Sequence, residues 1–363
     1  VSERRLLIGT YTHGSSQGIH LYRFDTDGAK WQADGVIESE SPSYLVATRD
    51  GRYLYAANEI GAERPGEVSA LRFDAASGEF TLLGRVSSQG ADPCHLLLSP
   101  TERYLFVANY SGGSLAVFER RQDGGLNDAV QVFGFGGGSG VDPERQQAAH
   151  PHSCEISRDG RFLYACDLGN DCLYRYPLDE LIEPGDNAPL DQRGFARLPL
   201  APGSGPRMMR FGADGRFAYV IGELDGVVEV FRYAEGELES LQRISLAPPV
   251  LDDEEIVHGA AELALSPDGR FLYASNRGSR DEIVVFAIDA SSGLLTFVGH
   301  QASGGRTPRH FNFIEEGGGL LVGNQDSGSV VLLERSVASG RLAAPSASIA
   351  VDQPAFILSL PLR

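Results

Sequence analysis

Two sets of positions in this chain carry side chains that could do chemistry. The first set follows a proline, or an alanine in its place, at the start of a short apolar run: Ser43, Cys94, His152, Arg207, Ala261, Arg309 and Ala355. The second set closes the run that follows: Glu59, Tyr110, Leu168, Glu223, Arg277 and Gln325. Neighbouring columns barely change from copy to copy, so the variation here is not architectural. Three arginines (Arg207, Arg277, Arg309), Glu223 and His152 therefore fall on one face. Guanidinium forks match carboxylate or phosphate, and in a chain of net charge −18 a convergence of three points to an anionic ligand. The alternative is that each arginine pairs with Glu59, Glu223 or Asp167 and only ties strands together. Arg207 and Glu223 belong to one hairpin and are expected to be neighbours.

Other chemistries are disfavoured. His150 and His152 in AAHPHS are two apart on an extended segment, which points them to opposite sides, and no further His or Cys spacing completes a transition-metal site. Asn58, Asn109, Asp167 and Asn324 could line a calcium site, but the favoured reading is that they finish the turns after their strands. There is no P-loop and no GxGxxG opening a helix. GFGGGSG (134–140) reads as a flexible loop or as a wall of the site.

The elements that must position these residues recur at intervals of roughly 50 residues, the sequence sign of a propeller. Copies start at Pro42, Pro93, Pro151, Pro206, Ala260 and Pro308, with PAFILSL at Pro354 as a truncated seventh. Each reads as an apolar run, a turn at or near Asp-Gly-Arg, and a second run ending in Asn or a similar residue. A third strand follows at 18–25, 67–74, 114–121, 172–179, 227–234, 282–289 and 329–336, then an outer fourth such as FTLLGRV or LTFVGHQ. Arg5–Tyr11 matches a second strand without its first, and Pro354–Leu360 a first strand without its second. The fold expected is all-β: one domain over residues 1–363, a seven-bladed β-propeller of four antiparallel strands per blade, the last blade closed by both chain ends. Almost no helix is expected, beyond one turn at ELIEPGD (180–186). Residues 122–150 and 244–259 read as long connections between blades, where function often resides.

Composition narrows the partners. Lys and Arg number 31 against 49 Asp and Glu, which argues against non-specific nucleic-acid or anionic-membrane binding. No apolar run approaches the roughly 18 residues of a membrane span. No signal peptide is visible, and the start at Val1 without Met suggests a trimmed chain. The four cysteines are not a disulfide framework; Cys166 and Cys172 flank a hairpin loop, but free buried thiols are expected.

Several stretches together resemble a known family: IGTYT (8–12), ANYSGGSLAVF (108–118), HPHSCEISRDGRFLYACDLGND (150–171), GPRMMRFGADGRFAYVIGEL (205–224) and SPDGRFLYASNRG (266–278). The chain is similar over its whole length to the seven-bladed lactonases, which include the propeller type of bacterial 6-phosphogluconolactonase and the fungal 3-carboxy-cis,cis-muconate lactonizing enzyme. The resemblance implies a site of one His, two Arg and one Glu, which fall on His152, Arg207, Arg277 and Glu223. Arg309, His150, Tyr110 and Asn276 are expected to contact substrate. It implies a hydrolase of an anionic sugar lactone in the pentose phosphate pathway, cytoplasmic, with no cofactor and no metal. Arg207 and Arg277 would hold the anionic group or the carbonyl oxygen as it gains charge; His152 would be the base, with Glu223 orienting Arg207. Alternatives are a muconate-type cycloisomerase and a non-catalytic binding module. SRDEIVVF after SNRG departs from the family's shorter loop, so the rim near Arg277 is expected to differ.

Overall fold

A computed structural model describes residues 3–26, 29–61, 64–180, 188–247, 257–314 and 317–361. Among them are seven four-stranded sheets, in each of which strands adjacent in sequence are paired. Chain contacts divide the molecule into two compact units. Ile37–Pro206 carries blades 1 to 3, whose first strands are Pro42–Ala47, Pro93–Leu98 and Pro151–Ile156. Val1–Val36 with Arg207–Leu362 carries blades 4 to 6, with first strands Pro206–Phe211, His258–Leu265 and Pro308–Ile314, and most of blade 7. In blade 7 the C-terminal strand Pro354–Pro361 pairs antiparallel with the N-terminal strand Glu3–Thr10, with Leu7 opposite Leu358, so the two chain ends complete one sheet as expected.

Local chemistry explains the repeat. The turn aspartates Asp50, Asp159 and Asp268 each accept from a Ser or Thr hydroxyl two residues earlier and from the arginine N–H two residues later. Such side-chain-to-backbone bonds hold a tight turn in place. The aromatic pair after the arginine joins one blade to the next. The Tyr219 hydroxyl donates to the Gly293 carbonyl at 3.1 Å, while Gly293, at φ +74°, lies so close to the Phe217 ring that a Cβ there would stand 2.3 Å away. Tyr55 with Gly124 and Tyr273 with Gly340 repeat the arrangement. Only glycine combines that backbone angle with so close an approach. Second strands such as Tyr53–Asn58 and Phe217–Gly222 are buried throughout, whereas outer strands such as Glu79–Ser87 are largely exposed.

Three features depart from the sequence expectation. Residues 122–150 are not all connection: they contain the fourth strand of blade 2, Leu126–Gly134. Blade 3 reaches its fourth strand late, at Ala196–Pro199, after a 3₁₀ turn at Gln192–Gly194. Of the ELIEPGD turn, residues 181–186 lie outside the described residues, as do 248–256 of the second long connection. Cys166 stands opposite Leu173 and Cys172 opposite Asp167, so the two thiols point to different faces of the sheet; all four cysteines are free and buried.

The third feature matters most for function. The register slips just after the strand-initiating proline, between Pro42 and Tyr44, Pro93 and His95, Pro151 and Ser153, and Pro308 and His310. A corresponding slip lies between Ala260 and Leu263. Ser43, Cys94, His152 and Arg309, the residues after these prolines, therefore occupy β-bulges, unopposed by a ladder partner. A bulge bends the strand and re-aims the side chain. The recurring proline holds the start of the first strand, and the bulge leaves the residue after it free to vary.

Candidate active site

On blades 4 and 5, Arg207 is 4% exposed at the start of Pro206–Phe211, and Glu223, also 4% exposed, follows Phe217–Gly222. Arg207 Nε lies 2.9 Å from Glu223 Oε2, and Arg277 Nη2 lies 3.1 Å from the same oxygen. Two guanidinium groups thus share one carboxylate, leaving an excess of one positive charge. The remaining donors are directed by backbone. Arg277 Nε donates to the Gly259 carbonyl at 2.6 Å and Nη2 to Ala260 at 3.3 Å, while Arg207 Nη1 donates to Ala261. The expected pairing of Arg207 with Glu223 is present, and Arg277 joins it.

Next to this trio is a second buried group that the sequence reading missed. Glu262 is 3% exposed; its Oε1 accepts from Arg210 Nη2 at 2.9 Å, and its Oε2 lies 3.7 Å from His310 Nε2. Burial pushes the Glu262 carboxyl up, against the pull of Arg210 and Arg207. His310 Nδ1 accepts the Ile357 N–H at 3.1 Å, which leaves the proton on Nε2, facing Glu262. Burial, then the charges of Arg210, Arg207 and Arg309, hold His310 well below its usual pKa, so it is a neutral strut. The available signal was one carboxylate in an otherwise apolar run, AAELAL (260–265). Arg309 is half-buried, with its guanidinium carbon 5.1 Å from the centre of the Tyr11 ring.

On blades 2 and 3 the chemistry is aromatic. Tyr110 stacks on His150 at 4.4 Å and meets the edge of His152 at 5.5 Å. The two histidines therefore share a partner instead of pointing apart, because His150 precedes the strand and His152 sits in its bulge. His150 Nδ1 donates to the Tyr110 carbonyl at 3.1 Å, which fixes that tautomer. His152 Nδ1 lies 3.8 Å from Cys94 Sγ, and the thiol reaches the His152 carbonyl at 3.4 Å. Arg145, also unforeseen, extends Nη2 to within 3.3 Å of the Tyr110 hydroxyl. It rides on the glycine-rich loop, which is held in place: Ser139 N–H donates to Gly169, and buried Gln146 donates to Leu168 and to Asp171.

Asn276 is fully buried and accepts the Gly259 N–H at 3.4 Å, a strand-end role. Asn58, Asn109 and Asn324 donate to the carbonyls of Glu40, Ser88 and Ser303, in the connections that lead into the first strands and not in the turns after the second. Among the described residues no three His, Cys, Asp or Glu side chains gather at metal-ligand spacing. A cleft of about 430 Å³ between blades 4 and 5 lies near Phe217, at the other end of its strand from Glu223. Its Arg216 and Arg232 are already paired with Asp214 and Glu239.

Comparison with known proteins identifies the family. The model of the lactonase, 7-bladed beta-propeller, family matches residues 5–359. The chain belongs to that family. The seven sheets are therefore the blades of a seven-bladed β-propeller, and this lactonase is an enzyme of the lactone-hydrolase type. It is 32% identical to the 6-phosphogluconolactonase of Formosa agariphila over 93% of this chain and 94% of that one. It is also 32% identical to that of Bacillus subtilis over 96% of each. The solved structure of a periplasmic gluconolactonase from Pseudomonas aeruginosa superposes with a TM-score of 0.93 at 39% identity, covering 100% of both chains. No described helix of the lactonase is long and apolar enough to cross a membrane.

Proposed function

We propose that this lactonase hydrolyses a sugar lactone carrying a phosphate or carboxylate, with 6-phosphogluconolactone as the leading substrate. The observation that carries the reading is the Arg207–Glu223–Arg277 trio: two guanidinium groups on one carboxylate, with excess positive charge, in a chain of net −18. Preorganised cations of this kind stabilise an oxyanion at little reorganisation cost. In the reaction, water adds to the lactone carbonyl carbon and the charge gathering on its oxygen is met by Arg207 and Arg277. The ring C–O bond then breaks, and the proton taken from water returns to the departing hydroxyl. His152 is the candidate for moving that proton. Glu223 is less suited to it, since one of its oxygens already faces both arginines. Arg309, on the Tyr11 ring, is suited to a remote anionic group.

The names of the curated relatives support the phosphorylated substrate and a place in the pentose phosphate pathway; the Pseudomonas structure brings in the unphosphorylated sugar lactone. The four free cysteines support a cytoplasmic location, which fractionation tests directly. The deciding experiment follows hydrolysis of freshly generated 6-phosphogluconolactone, and of gluconolactone beside it, against their spontaneous rates. The expected result is acceleration by the wild type, with kcat/KM falling by more than about 100-fold in Arg207→Ala. No acceleration on either lactone sinks the hydrolase reading; a product formed from muconate-type acids instead moves it to the cycloisomerase.

A further inference from the structure

We propose that Glu262 is a positioning residue: it locks the bulge of blade 5 so that three successive backbone carbonyls aim Arg207 and Arg277. The inference rests on the role given to those arginines above.

The geometry starts with the ladder. Ala260 stands opposite Asn276 and Leu263 opposite Ala274, so Ala261 and Glu262 together face Ser275. At such a bulge one residue loses its ladder partner. Here the Glu262 N–H turns to the buried Ser275 hydroxyl at 2.9 Å. The carbonyls of Gly259, Ala260 and Ala261, which precede it, are then the acceptors of the arginine donors: Gly259 and Ala260 for Arg277, Ala261 for Arg207. A guanidinium is planar, so two such bonds along one edge fix the rotation of the whole fork. Segment 259–262 thus sets the direction of both cations, and Glu223 sets their separation.

Such a segment needs an anchor, and the Glu262 side chain supplies it in three directions. Its carboxylate is held by Arg210 from blade 4, by the N–H of Leu263 on its own strand, and faces His310 of blade 6. A buried carboxylate keeps its place only where such partners balance its desolvation. Remove the charge and Arg210 loses the carboxylate that its Nη2 meets at 2.9 Å, so the bulge has reason to shift. Small displacements of cations that must meet developing charge lower kcat more than they raise KM, because the lost contact belongs to the transition state.

The test compares Glu262→Gln and Ser275→Ala with the wild type, with Arg207→Ala in the same assay. Glu262→Gln keeps the shape and removes the charge; Ser275→Ala removes only the acceptor for the Glu262 N–H. The expected result is a fall in kcat of about 10- to 50-fold for Glu262→Gln and about 3- to 10-fold for Ser275→Ala, with KM within about threefold. The ¹⁵N–¹H signals of Arg207 and Arg277 Nε should move in both variants. A Glu262→Gln enzyme that melts lower but keeps wild-type kcat and unmoved arginine signals overturns the proposal and leaves a purely structural glutamate. If Glu262→Gln does not fold, Ser275→Ala decides: unchanged kcat and unchanged signals overturn it. Wild-type activity in Arg207→Ala is a different failure, that of the catalytic reading itself.

Discussion

The pairing edge of blades 4 and 5 and that of blades 2 and 3 are built from the same two repeat columns, yet they hold opposite kinds of chemistry. On blades 4 and 5 the charged column residues are the buried Arg207 and Glu223 and the half-buried Arg277, and the contacts described for the two arginines are to a carboxylate or a backbone carbonyl. On blades 2 and 3 the column residues Cys94, Tyr110 and His152, with His150 beside them, are held by ring stacking and bonds to backbone carbonyls. The first arrangement is fixed charge, always on. The second contains imidazoles, one of which, His152, is the proposed proton carrier. The same two repeat columns thus carry either paired charges or aromatic and imidazole side chains.

The sharpest way to break this contrast is His152→Ala. If proton movement belongs to His152, kcat/KM should fall by more than about 100-fold and the acid limb of its pH profile should vanish. Glu223→Gln should act differently: a fall of about 10- to 30-fold as the two arginines lose their shared anion, with the shape of the pH profile kept. Loss of the acid limb in Glu223→Gln but not in His152→Ala would reverse the two roles. A smaller effect, no more than about fivefold in kcat/KM, is expected for Tyr110→Phe, which keeps the ring against both histidines and removes only the hydroxyl near Arg145.

The smallest effect concerns stability, not rate. Burial, reinforced by Arg210, Arg207 and Arg309, depresses the pKa of His310, with Glu262 at 3.7 Å as its facing anion. Below its unfolded value of 6.5 the unfolded chain takes a proton that folded His310 refuses, so stability should decline as pH falls through that value. His20 and His258, also depressed by burial, add to the same trend. Urea unfolding at pH 7.5 and 5.5 should show the His310→Asn variant losing about 1 kcal/mol less than wild type across that interval. An identical pH slope in the variant would mean that His310 is protonated in the fold and part of the charged group, not a neutral strut.

Much of this was legible in the chain itself. The third strands Gly18–Asp25, Glu67–Asp74 and Val227–Ala234 begin and end where the alternation of apolar and polar residues places them. The closing of blade 7 by both termini could be read from half-repeats at each end. The proximity of Arg207 and Glu223 followed from their positions in one hairpin. These are local properties: strand period, turn chemistry, and the return of a hairpin to its start.

What escaped the sequence depends on distance along the chain. Glu262 is one carboxylate in an apolar run until Arg210, 52 residues earlier, is known to face it. Arg145 is one charge in a loop until that loop is seen anchored by Gln146 and Asp171. His150 and His152 were assigned to opposite sides by strand alternation, and a single bulge brought both rings to Tyr110. The amino-acid order by itself determined the seven repeats, their turns and the columns from which a site could be drawn, because those follow from short-range pattern. The tertiary structure alone decided where each column side chain points and which charge offsets which. A bulge is set by pairing between strands, and a buried ion pair exists only once packing has removed both partners from water.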